Sequence, residues 1–292
     1  MPTEALGRYQ MLAGIPAGLG SLQNLLAVAV DPNPDKQNLI DAFETDPALL
    51  LAALAISREA AGDLANWHQH LDAPILQAAA LTLAGHANTG MLASGEGHWQ
   101  RAMRQSLIAD ELARKVPGAD PETSRLAALL AGLTDAAPDI VHDLASLGCS
   151  HLVCDVVRYH RESRQELAGT ASVLRVVATA HRLLNTLGNP DPLAEELVAW
   201  VEEMLGLDHD TAYEGIGIAS WRYEQAMRNV RQVDTAQAVA DSHAAALFYR
   251  ALQKSQPDDD FLTKVSNSAH YLFGCSGIYH FEVTPDHQSL VT

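Results

Sequence analysis

Hydrophobic residues recur along this chain with the spacing of amphipathic helices. Leu197, Trp200, Val201 and Met204, for example, fall at i, i+3, i+4 and i+7 of one segment, so they share one helical face. The glutamates at positions 195, 196, 202 and 203 lie mostly on the other side. This segment is therefore predicted to be a helix that buries one stripe and turns its charges to solvent.

Aspartate–proline pairs mark the start of three predicted helices, at Asp46-Pro47, Asp120-Pro121 and Asp191-Pro192. An aspartate side chain accepts hydrogen bonds from the free N–H groups of a first helical turn, and proline fits the first helical position, where its missing N–H leaves no bond unmade. An apolar run follows each pair. Other helices are predicted over 19–30, 36–44, 60–70, 73–84, 99–115, 140–146, 151–160, 168–187, 210–232 and 235–253.

The composition predicts an all-α, multi-helix bundle. Aromatic residues make up only 5% of the chain, and segments rich in Val, Ile, Thr and Tyr are scarce, so helix is favoured almost everywhere. The C-terminal tail differs from the rest of the chain. In GIYHFEV, side chains that favour strands alternate with others, TPDHQ is rich in turn residues, and SLVT is a second short segment that could form a strand. We predict a small C-terminal β-hairpin there, which either opens a further domain or packs back on the helices.

Charge and cysteine content narrow the classes of partner. The chain carries 36 acidic and 19 basic residues, a formal charge of −17, which repels phosphate backbones; we therefore expect neither nucleic acid nor an anionic membrane as a partner. No run of eighteen apolar residues occurs, and the opening MPTEALGRYQ has no basic stretch followed by an apolar one, so neither a membrane span nor an export signal is expected. The three cysteines, Cys149, Cys154 and Cys275, lack paired CxxC spacing and fit a reducing cytoplasm.

Five segments, in this order, resemble one known family. They are 15–57 with its Asp-Pro-Ala-Leu helix start, HLDAPILQAAAL at 70–81, the Trp-led HWQRAMRQSLIADELA at 98–113, RLAALLAGLTD at 125–135, and the closing pair VVRYH and VLRVVATAHRLLNTLG within 156–188. The family is the HDOD domain, a catalytically silent relative of the HD-type metal phosphohydrolases that occurs in bacterial signalling proteins. The resemblance implies a helical HD-superfamily fold and a regulatory output role.

The resemblance also divides the chain. Residues 1–234 are interpreted as the HDOD-like helical domain, 235–256 as a connecting helix and linker, and 257–292 as a short α/β tail. Within the tail, LFGCSGIYHFEV resembles the opening of a GAF-type sensor domain. Such an arrangement is typical of bacterial signal-transduction proteins and response regulators.

At the position of the family's metal site the resemblance implies a degenerate set of residues. Active relatives place a His on one helix and a Gly-Leu-Leu-His-Asp sequence at the end of another, whereas this chain has Arg101 and Thr134-Asp135. A guanidinium cannot ligate a cation, and a hydroxyl is a poor substitute for imidazole. We therefore expect no metal, no cofactor and no catalysis here, and we predict that Arg101 pairs with Asp135.

Other residues leave a metal-dependent phosphohydrolase or phosphodiesterase open as an alternative. His142-Asp143 supplies an HD dipeptide, and His98, His160 and His181 are further candidate ligands. With thirteen histidines in the chain, an HD dipeptide also arises by coincidence, and solvent-facing or locally bonded histidines are the competing explanation.

A partner-binding surface is predicted on the helix over 210–232. Tyr213, Ile216, Tyr223 and Met227 share one face, which is either a contact surface, including one for a homodimer, or part of the domain's own core. The function expected from the sequence is a non-catalytic signalling module that acts through protein–protein contact. A small-ligand sensor with a pocket among the helices is a further alternative.

Overall fold

Helices make up about three quarters of the described part of the chain, in agreement with the all-α class that the sequence predicts. The computed structural model describes residues 17–29, 34–57, 63–86, 89–135, 137, 139–184, 195–231, 282–283 and 290–291. Its helices are α1 Leu19–Ala29, α2 Lys36–Phe43, α3 Pro47–Ile56, α4 Ala73–His86, α5 Thr89–Ala113, α6 Pro121–Ala131, α7 Ile140–Ser146, α8 His151–Tyr159, α9 Arg164–Leu167, α10 Ser172–Leu184, α11 Glu195–Leu205 and α12 His209–Arg231.

Short elements complete this arrangement. Two 3₁₀ helices cover Leu64–Asn66 and Gly132–Asp135. In the tail, β1 (Glu282–Val283) pairs antiparallel with β2 (Leu290–Val291), with Glu282 opposite Val291. The rest of the predicted hairpin, the connecting helix over 235–253 and the third Asp-Pro pair lie outside the described residues.

The two predicted Asp-Pro caps that lie within the described residues are both confirmed. The Asp46 carboxylate accepts from the backbone N–H groups of Ala48 at 2.8 Å and Leu49 at 3.3 Å, and it also accepts from Gly18 at 2.7 Å. Asp120 accepts from the N–H of Thr123 at 2.7 Å. Since Asp46 is fully buried, its bond to Gly18 ties the segment before α1 to the start of α3.

The long helix α5 is the centre of the bundle, packing against α6, α10 and α12. Gly132, at the end of α6, approaches α5 so closely that an added Cβ would lie 2.3 Å from the Cβ of Ala102. Only a hydrogen atom fits in this space. The contact holds the following residues, Thr134 and Asp135, beside the part of α5 that carries Arg101.

The prediction of a helix over 60–70 is wrong for residues 63–70, the part of this range that the structure describes. Residues 64–66 form a single 3₁₀ turn, and turns follow to residue 70. Side chains supply the competing local bonds: Asn66 donates to Asp63 at 2.9 Å, and Gln69 donates to Asn66 at 2.6 Å. The turn places Trp67 in the core, where its indole N–H donates to Glu44 at 2.8 Å.

The helix predicted over 168–187 begins later than expected, at Ser172. Gly169 has φ +79°, a left-handed conformation that interrupts a right-handed helix and that glycine adopts without strain. Within the described ranges, no helix is both long enough and apolar enough to cross a lipid bilayer.

Candidate functional site

Several residues that the sequence singled out for metal chemistry come together where α5, the end of α6, the end of α8 and α10 meet. We call this group the arginine–histidine cluster, and its members are Gln105, Thr134, Asp135, His160, Arg161 and His181. Thr134 donates to the carbonyl oxygen of Ala131 at 2.9 Å, which closes the last turn of α6. His160 ends α8, and its backbone N–H donates to the carbonyl oxygen of Val156.

The Arg161 guanidinium contacts three members of the cluster at once. Its Nη2 lies 2.7 Å from Oδ1 of Asp135 and donates to Oγ1 of Thr134 at 2.9 Å. Its Nε donates to Nε2 of His160 at 3.2 Å. A planar guanidinium carries donors that point in several fixed directions, so one arginine can bind a carboxylate, a hydroxyl and an imidazole together.

This contact indicates which ring nitrogen of His160 carries the proton. Because Nε2 accepts a bond from Arg161, the ring proton is on Nδ1, which donates to the carbonyl oxygen of Val157 at 3.0 Å. Burial, together with the charge of Arg161, lowers the pKa of His160 to about 4. His160 is therefore neutral near pH 7.

His181 extends the cluster towards α5. Its ring meets that of His160 edge to face, with centroids 4.9 Å apart and planes at 82°. Its Nδ1 lies 3.2 Å from Oε1 of Gln105, to which it donates. Burial lowers the pKa of His181 to about 4, with contributions from His160 and from the cations Arg161 and Arg101.

Asp135 remains ionised within this positive surrounding. Its partial burial would raise the pKa, but the hydrogen bond and charge of Arg161, with the charges of Arg101 and His181, lower the pKa below its usual value. The sequence predicted that Arg101 would be the partner of Asp135. The charge of Arg101 helps to lower the pKa of Asp135, and Arg161 makes an ion pair with Asp135 at 2.7 Å.

Sequence reasoning missed Arg161 and Gln105. The available signal for Arg161 was its position next to His160, in the run VVRYHRES. Gln105 lies one helical turn after Arg101 on α5, so it shares that residue's face. Neither position identifies a site residue from the sequence alone, because the contacts depend on which helices pack together.

The alternative metal ligands do not join the cluster as a set. His142 is exposed on α7, with Asp143 next to it. His98 lies within α5, but its side chain is outside the described residues. No group of three or more His, Cys, Asp or Glu in the described part of the chain is arranged to hold a metal ion.

The predicted partner-binding face on α12 is largely core. Ile216 and Tyr223 are buried, because α12 lies along α5 and this stripe faces it. The guanidinium of Arg104 on α5 lies 4.2 Å from the centroid of the Tyr223 ring. Ile216 and Tyr223 thus belong to the domain's own core, one of the two alternatives that the sequence left open, whereas Tyr213 is exposed and the side chain of Met227 is outside the described residues.

Comparison with known proteins gives no assignment. No family model, no curated protein and no solved structure matches the chain. Its function has to be argued from the cluster and from the surfaces around it.

Proposed function

We propose that this chain is a non-catalytic helical signalling module of the HDOD type, acting in the bacterial cytoplasm through contacts with other signalling proteins. The observation that carries the proposal is the triple contact of Arg161 with Asp135, Thr134 and His160. In this interpretation the guanidinium occupies the place of a metal ion at a degenerate HD-type site.

The chemistry of the donors supports this assignment. A metal ion at this place would need the lone pair of His160 Nε2 and a carboxylate oxygen of Asp135. Arg161 engages both groups, and it carries a permanent charge that does not titrate near neutral pH. An incoming cation would have to displace this guanidinium and would be repelled by its charge.

Exposed apolar residues on α12 support a role in protein contact. Tyr213, Ile218 and Trp221 are 45%, 38% and 64% exposed, and their spacing places them on the outward side of the helix. Large exposed aromatic residues are typical of contact surfaces. A partner bound there would shift the balance between conformational states without chemical transformation of a substrate.

The first experiment compares the wild-type chain with Arg161→Ala and with Arg158→Ala, a matched control at an exposed position three residues earlier. Each protein is titrated with Zn²⁺ by calorimetry. Because the substitution frees His160 Nε2 and Asp135, we expect Arg161→Ala to bind Zn²⁺ at least about tenfold more tightly than wild type. Arg158→Ala should behave as wild type, and equal affinity for all three proteins would contradict the proposal.

A second measurement tests the absence of catalysis. Wild-type protein incubated with Mn²⁺, Fe²⁺ or Mg²⁺ is analysed for bound metal and assayed with a cyclic dinucleotide and with bis-p-nitrophenyl phosphate. We expect neither stoichiometric metal nor turnover. Stoichiometric metal together with a turnover that Asp135→Asn abolishes would identify an active phosphohydrolase and overturn the proposal.

A further inference from the structure

A pocket of about 490 Å³ lies between α8, α9 and the start of α10. We call it the α8–α10 pocket. Its apolar part is formed by Leu152, Leu167 and Leu174, and the Tyr159 ring lines one side. Its volume is in the range of cavities that bind small organic molecules.

The charges that line this pocket have one sign. Asp155, Glu162 and Glu166 line it, and among the described residues that line it none is Lys, Arg or His. Of the nearby basic residues, Arg164 pairs with Glu203 at 2.7 Å, and Arg158, whose guanidinium lies 5.7 Å from the centroid of the Tyr159 ring, does not itself line the pocket. A ligand in the pocket therefore meets apolar surface together with negative charge.

Two of the carboxylates that line the pocket, Glu162 and Glu166, lie four positions apart in the chain, and the second of them caps α9. Glu166 accepts from both the N–H of Ser163, at 3.0 Å, and its hydroxyl, at 2.7 Å, in a capping box at the start of α9. These bonds lower the pKa of Glu166, and the neighbouring Glu166 carboxylate raises the pKa of Glu162. The capping box fixes the position of Glu166, and Glu162 lines the same pocket, so a bound positive charge would stabilise both carboxylates in their ionised form.

We propose that the α8–α10 pocket binds a small organic cation, an amine or quaternary ammonium attached to an apolar group. The apolar group packs on Leu152, Leu167 and Leu174, and the charged group lies between Glu162 and Glu166. The Tyr159 ring adds a further apolar contact at the side of the pocket. This inference goes beyond the proposed function, because it gives the module a chemical input of its own.

Ligand chemistry distinguishes this proposal from simple charge attraction. The three acidic side chains repel an anionic ligand. A neutral ligand of the same shape gains no electrostatic attraction from them. An inorganic divalent cation has no apolar group that could pack against the leucine side chains. Only a molecule that is both apolar and cationic uses both kinds of group that line the pocket.

The experiment titrates the full chain with hexyltrimethylammonium, and with 1-hexanol as the neutral probe, by calorimetry and by NMR of the pocket methyl groups. We expect saturable binding of the ammonium and at least about tenfold weaker binding of hexanol. The double variant Glu162→Gln/Glu166→Gln should weaken ammonium binding by about tenfold or more. A glutamine side chain at position 166 can still complete the capping box, so the fold is retained.

A charge-matched control separates the pocket from the overall negative field. Asp139→Asn/Glu202→Gln removes two exposed acids that do not line the pocket, and it should leave the affinity within about twofold of wild type. Equal binding of hexanol and the ammonium, equal losses in both double variants, or displacement of the ammonium by MgCl₂ at matched ionic strength would each overturn the proposal. None of these outcomes depends on Arg161. The pocket proposal can therefore fail without affecting the proposed function, which the zinc titration tests separately.

Discussion

Histidines 160 and 181 illustrate how the environment of a residue determines its chemistry. Both have side chains that usually titrate near pH 6.5, yet burial lowers the pKa of each to about 4. His160 is nearly inaccessible to solvent, and its neutral form is stabilised by its bonds to Val157 and Arg161. The cluster therefore makes the free energy of unfolding depend on pH in a way that an exposed histidine would not.

We predict that the free energy of unfolding decreases as pH falls from about 6.5 to about 4. In this window the unfolded chain binds protons at His160 and His181, whereas the folded chain does not, so acid favours unfolding. The loss is on the order of 3 kcal/mol for His160 and smaller for His181, which solvent screens in part. Asp135, whose pKa is lowered, adds its own loss only at still lower pH.

Urea unfolding at about pH 7 and about pH 4 measures this effect. His160→Gln should reduce the difference between the two conditions, because glutamine does not titrate. His142→Gln is the matched control, since His142 is exposed on α7, and it should leave the difference unchanged. An identical pH dependence in all three proteins would show that the buried histidines do not cause it.

At the scale of elements, the contact between α5 and the end of α6 positions the cluster. Gly132 lets the two helices approach until an added Cβ would lie 2.8 Å from the Cα of Ala102, a backbone atom that cannot rotate away. The glycines of α12 behave differently. An added Cβ at Gly215 would lie at ordinary contact distances from its neighbours, and one at Gly217 would meet no described atom within 4 Å, so neither glycine marks an unusually close approach.

Gly132→Ala is expected to destabilise the fold by about 2–3 kcal/mol, because the new methyl group must push α5 and α6 apart. Gly217→Ala provides the control: the same chemical change, at an exposed helical position with free space, should stabilise by roughly 0.5–1 kcal/mol. Thermal and urea unfolding give both values. If Gly132→Ala were neutral, the close approach of the two helices would not be a constraint on the fold.

At the scale of the whole molecule, a network of buried charges joins parts of the chain that are far apart in sequence. It surrounds a cavity of about 240 Å³ lined by residues of α2, α5, α6 and α12. Arg125 contacts both Glu44 and Glu122, while Arg222 contacts Glu111 and lies 2.6 Å from Asp110. Because Asp110 and Glu111 are buried, their charges need these partners.

Arg222→Met should cost about 2–3 kcal/mol of unfolding free energy, because it leaves the Glu111 charge buried without its partner. Arg114 still pairs with Asp110 at 3.0 Å, which limits the loss. Adding Glu111→Gln to this variant removes the unpaired charge and should restore part of the stability. Arg164→Met breaks a largely exposed pair with Glu203 and should cost less than about 1 kcal/mol; equal losses in the two arginine variants would argue against a buried network.

Local chemistry along the chain was enough to predict the all-α class, the caps at Asp46 and Asp120, and the bounds of α7. These features depend on hydrogen bonds and side-chain periodicity within about one helical turn, so they can be read directly from neighbouring residues. The prediction failed at Gly169 and at residues 64–70, where glycine conformation and side-chain bonds compete with helix formation.

Packing decided the remaining features. Arg161 reaches Thr134 across 27 positions of the chain, and His181 reaches Gln105 across 76. The same packing places Ile216 and Tyr223 in the core while it leaves Tyr213 and Trp221 exposed, although all four residues belong to one helix. Such contacts depend on the angle and distance at which helices meet, and these are set by all the interlocking side chains together rather than by any local segment.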